Sequence, residues 1–82
     1  MTLREQLLHV SDLYCRSSDR SETRVSTQIF SSGLRIQRIR GGGDIGTMTF
    51  ERAMAWFSTN WPDGAEWPAD VPRPDPIMEA AE

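Results

Sequence analysis

Apolar residues recur along this chain at spacings that predict helices, separated by polar turns. Leu3, Leu7, Val10 and Tyr14 share one helical stripe, widened by Leu13, which predicts a helix from about residue 3 to 16. Thr2-Leu3-Arg4-Glu5 in front of it has the form of a capping box, Thr2 accepting from the first turn and Glu5 reaching back. Arg16 to Arg20 holds no apolar residue and reads as a turn. Ser21 then suits the cap of a second helix over about 21–31, with Glu22 favourable beside the positive helix end. Val25, Ile29 and Phe30 lie on its buried side. Ser31-Ser32-Gly33 would stop it, glycine taking a left-handed C-terminal cap most easily.

Residues 34–40 admit two readings. Leu34 and Ile36 alternate as in a strand, whereas Ile36 and Ile39, with Arg35 and Arg38, stand three apart as in a short helix; the helix is preferred. Four glycines between Gly41 and Gly46 require a loop, since each costs a helix about 1 kcal/mol against alanine. Thr47 opens a last helix with Phe50, Met54 and Phe57 on one stripe and Ala53 and Trp56 beside it. It should end near Asn60, because Pro62 disfavours helical geometry at Trp61. All five prolines fall between 62 and 76. Trp61-Pro62 and Trp67-Pro68 bracket a turn at Asp63-Gly64, so this stretch reads as an extended arm folded back by its tryptophans. From about Pro74 a mobile tail is expected. The expected fold is all-α: a compact bundle of about four helices over 1–60, with a Trp/Pro-rich arm and acidic tail over 61–82.

Length makes this one small domain of 82 residues. Such a chain buries roughly 60–65% of its unfolded surface, a thin core with little room for a catalytic cleft. No enzymatic activity is expected. The longest apolar run, Ala53 to Phe57, is too short to span a membrane, so no membrane partner is expected. Cys15 is the single cysteine, which excludes an internal disulfide and fits a reducing, cytoplasmic setting.

Charge changes the picture more. The net charge of −3 argues against nucleic acid only as an average. Residues 1–15 sum to −1, residues 16–52 to +3 and residues 53–82 to −5, with arginine supplying every positive charge. A basic middle can neutralise phosphates despite an acidic tail, because screening makes exposed charges local beyond roughly 8–10 Å.

A helix, a short polar turn and a second helix beginning Ser21-Glu22-Thr23-Arg24-Val25-Ser26-Thr27-Gln28 have the layout of a helix-turn-helix. There the second helix enters the major groove with its first turns against base edges. Thr23, Arg24, Ser26, Thr27 and Gln28 are side chains able to hydrogen-bond bases, and are the candidate base contacts. Glutamine can grip adenine with two hydrogen bonds, and arginine guanine. Val25 and Ile29 would hold the helix on the domain. Free N–H groups near Ser21 offer a phosphate site.

In this arrangement the chain resembles the small helix-turn-helix proteins of alphaproteobacteria and their phages, related to the lambda-repressor type. The resemblance rests on Tyr14-Cys15 ending the first helix, the Ser/Thr-rich Thr23 to Thr27, and the break Ser31-Ser32-Gly33. It continues through the Arg-rich segment from Arg38 to Gly43 and the helix from Thr47 to Trp56, covering roughly residues 10–60. It implies a small transcriptional regulator that binds double-stranded DNA; a single domain this small reads only a few base pairs, so a homodimer on a two-part site is expected. Asp19 stands near where the family's turn holds glycine, and aspartate can take the left-handed backbone required. Gln28 stands where an apolar residue is usual, which delays the apolar position to Ile29. On this reading Arg20, Ser21, Arg35, Arg38 and Arg40 contact phosphates. Trp56, Trp61 and Trp67 are candidates for the dimer surface.

Other chemistry-bearing residues reduce to simpler roles. His9 is a lone histidine without a ligand cluster, so no metal is expected. His9, Ser11 and Asp12 hold triad residue types but point different ways on one helix. Cys15 falls on the inner side of the first helix. The loop from Gly41 to Gly46 follows no strand and precedes no lysine, so neither nucleotide-binding pattern is met and no cofactor is expected. The alternative function is a protein-interaction adaptor or antiactivator acting through the acidic, Trp- and Pro-rich arm.

Overall fold

The computed structural model describes residues 2–74; the expected mobile tail falls, beyond Pro74, outside the described residues. Four helices follow one another: α1 (Leu3–Ser18), α2 (Glu22–Phe30), α3 (Arg35–Arg40) and α4 (Thr47–Thr59). No strand occurs among the described residues, so residues 34–40 resolve to the helical reading.

The start of α1 is the predicted capping box, with Glu5 N–H donating to Thr2 Oγ1 at 3.1 Å and Thr2 N–H to Glu5 Oε1 at 2.9 Å. The backbone hydrogen bond from Thr2 holds the Glu5 carboxyl below its ordinary value. Its contribution to stability is therefore present above the ordinary carboxylate range and lost as pH falls through the depressed value. The helix runs two residues past the expected end and stops at Asp19, which is left-handed at φ 58°. Aspartate is one of the few non-glycine residues that takes this backbone readily. Ser21 caps α2, its hydroxyl accepting from Arg24 N–H at 3.1 Å.

The stop of α2 differs from expectation. Ser31, not Gly33, takes the left-handed cap, at φ 59°. Gly33 is needed for space: a Cβ there would lie 2.8 Å from Thr23 Cγ2. Glycine at 43 answers a similar demand, since its N–H donates to Arg38 O and a Cβ would lie 2.9 Å from that oxygen. Asn60 closes α4, donating from its side chain to Trp56 O at 2.9 Å.

Packing pairs α1 with α4 and α2 with α3, with α1 also touching α2 and α3. The core joins Leu7, Val10 and Tyr14 of α1 to Val25, to Ile36 and Ile39, and to Ala53, Met54 and Phe57. Leu3, expected on the buried stripe, is instead exposed. Residues 61–74 form neither helix nor strand and fold back on α1 and α4. Val71 is buried in the core, Ser58 Oγ donates to Pro74 O, and the Arg73 guanidinium donates to Ser58 O. No helix among the described residues is long and apolar enough to cross a membrane.

Candidate nucleic-acid interface

The helical period divides α2 into two sides. Val25 and Ser26 are fully buried, Ile29 and Phe30 half-buried, and Thr23, Arg24, Thr27 and Gln28 exposed. Ser26, expected to touch a base, is thereby corrected. Its hydroxyl donates to Ser32 O at 2.5 Å and accepts from the buried N–H of Ile36 at 3.1 Å, which ties α2 to the start of α3. A small polar residue one place after an apolar one looks like surface in sequence; its partner ten residues away is what makes it core.

The four exposed positions are not equivalent. The Thr23 methyl faces Gly33, and the Thr27 hydroxyl donates to Thr23 O at 3.0 Å, so both threonines sit beside the loop after α2. Arg24 and Gln28, one turn apart, stand clear of it. The Arg20 guanidinium reaches Gln28 Oε1 at 3.3 Å, bringing the turn before α2 onto the same exposed side. Arg20, Arg24 and Gln28 together make a donor-rich edge at the surface.

Family models, curated proteins and solved structures give no match to this chain.

The arginines expected on phosphates have three different settings. Arg38 is exposed and has no carboxylate within 4.0 Å among the described residues. Arg40 bridges Asp12 of α1 at 2.8 Å and Glu22 of α2 at 2.5 Å. Hydrogen bonds to those two carboxylates hold its guanidinium above its ordinary value, and its charge is already matched. Arg35 is half-buried, its guanidinium 5.3 Å from the centre of the Phe30 ring, and it lines a recess between α2 and α4. That recess also contains Arg52 and Thr49, which were not among the expected site residues. Their spacing of three, off the apolar stripe of Phe50, Met54 and Phe57, was the available signal.

The three tryptophans are half-buried and packed internally. Tyr14 contacts Trp56 edge-on at 5.3 Å and Trp61 at 6.0 Å, and Trp61 lies 4.8 Å from Trp67. The Trp61 and Trp67 indoles donate to Ala65 O and Val71 O. The surface expected of them for a second copy is thus largely used within the fold. His9 lies 3.8 Å from Asp70 with both side chains well exposed, and no metal-holding cluster occurs among the described residues. Burial pushes the Cys15 thiol up, away from a reactive thiolate.

Proposed function

We propose that this protein is a small non-enzymatic regulator that binds double-stranded DNA sequence-specifically through a helix-turn-helix formed by α1, the turn at 19–21 and α2. The observation that carries the reading is the two-sided α2. A Ser21-capped helix turns Arg24 and Gln28 outward beside Arg20, while Val25 and Ser26 anchor the opposite side. Arginine and glutamine are the residues whose paired donors and acceptors match guanine and adenine in the major groove. In this reading Arg24 and Gln28 read bases, with Thr23 and Thr27 at the margin. Arg20, Ser21 and Arg38 hold phosphates and fix the register. One domain of this size reads few base pairs, so specific recognition takes a homodimer on a two-part site.

A polarisation titration with labelled random duplex at two salt concentrations tests this. Binding should fall steeply with salt, and Arg38→Ala should lower the slope by about one counterion. Gln28→Ala should relax selectivity for a selected sequence more than it weakens random-duplex binding. Absence of duplex binding at low salt sinks the proposal.

A further inference from the structure

A recess of about 280 Å³ opens between the end of α2, the start of α3 and the middle of α4. Its apolar lining comes from Ile29, Phe30 and Ala53, and its polar lining from Ser31, Thr49, Arg35 and Arg52. No carboxylate among the described residues lines it. Neither arginine has an ion-pair partner among the described residues. The C-terminal end of α2 contributes roughly half a negative charge nearby, which two guanidiniums outweigh. A concavity bearing charge of one sign concentrates the field within it. The Arg35 guanidinium lies over the Phe30 ring, a contact that favours this placement.

This lining differs from the exposed edge of α2 in both shape and chemistry. Guanidinium forks match the planar or tetrahedral oxygens of carboxylate and phosphate, and the Ser31 and Thr49 hydroxyls add donors. The apolar wall is a smaller share of the lining than the polar part, room for the edge of one small ring and no more, and the volume lies at the small end of ligand pockets. A sugar-phosphate strand would meet the arginines and leave that wall wet; a small ring bearing an anionic group would meet both. We propose that this recess binds a small organic anion, a carboxylate or phosphate monoester carried on one flat apolar ring.

The test titrates phenyl phosphate, benzoate and inorganic phosphate separately into 15N-labelled protein, without DNA, following backbone amides and arginine side-chain N–H signals. Because no duplex is present, the outcome is independent of the proposed DNA binding. Saturable binding of phenyl phosphate or benzoate is expected with Kd on the order of 1 mM or tighter, shifting residues 29–31, 35 and 49–53. Inorganic phosphate, lacking the ring, should bind about tenfold more weakly, and Arg52→Gln should weaken phenyl phosphate by about the same factor. Arg52 is exposed on α4, so the fold tolerates its replacement, and Arg16→Gln on α1 serves as the charge control with unchanged affinity. Shifts that never saturate, shifts spread over all exposed arginines, or full affinity in Arg52→Gln would overturn the proposal. So would a separate titration in which a short duplex moves these resonances while phenyl phosphate and benzoate do not, since that gives the recess to the DNA backbone.

Discussion

Two serines, each with no exposed surface, show how little residue type alone decides. Ser26 connects Ser32 O to the N–H of Ile36, satisfying a donor that α3 cannot satisfy within its own first turn. Ser11 is buried in α1, and among the described residues its hydroxyl meets only the Cys15 thiol one turn on, a weak partner. Losing a buried partner costs the desolvation of the group left behind, whereas losing a hydroxyl with only a weak partner removes more desolvation cost than bonding. Ser26→Ala should therefore destabilise by about 1–3 kcal/mol, and Ser11→Ala should stabilise by up to about 1 kcal/mol. Urea unfolding followed by tryptophan fluorescence measures both, and equal destabilisation by the two substitutions would refute the distinction. The same contrast separates Ser26 from Thr27: a single step around the helix turns a candidate base contact into a packing residue.

Local signals defined the elements that own their caps. The capping box at Thr2 and Glu5, the Ser21 cap and the apolar stripe of α4 lie within a few residues of what they stabilise, so pattern and chemistry agree there. The third helix was ambiguous because its start is held from outside, by Ser26, with no side-chain cap at Leu34. The setting of Arg40 is hidden from the sequence for the same reason. An arginine ending a basic run resembles a phosphate contact, yet its two carboxylates are 28 and 18 residues earlier in the chain. It fastens the end of α3 to both α1 and α2. The side chains are substantially exposed, so solvent screens the pairs and Arg40→Ala should cost only about 1 kcal/mol. It should also leave the salt slope of duplex binding unchanged, because the charge is already neutralised within the fold. A thermal melt and the polarisation titration check the two halves; loss of slope equal to that of Arg38→Ala would return Arg40 to the phosphates.

Across the whole molecule, the division of charge acquires a physical layout. The arm carries Asp63, Glu66 and Asp70 through residues 61–74 and lies against α1 and α4, with Asp70 near His9. The proposed reading edge, Arg20, Arg24 and Gln28, belongs to the turn before α2 and to α2 itself. The arm is also structural: Val71 is buried, Trp61 packs on Tyr14, and Ser58 is bonded to both Arg73 and Pro74. Two truncations separate these contributions. Ending the chain at Asn60 removes Trp61 from Tyr14 and Val71 from the core, and burying a side chain such as Val71 alone contributes about 1.5–3 kcal/mol. That form should lose most of its stability. Ending the chain at Pro74 keeps every described contact and removes Asp75, Glu79 and Glu82, which takes the net charge from −3 to zero. Its melting temperature should stay close to that of the full chain, while random-duplex affinity at low salt should rise and the gain should vanish at high salt. An affinity that does not change at low salt would mean the acidic end exerts no field on the proposed reading edge, and the charge division would then carry no functional weight.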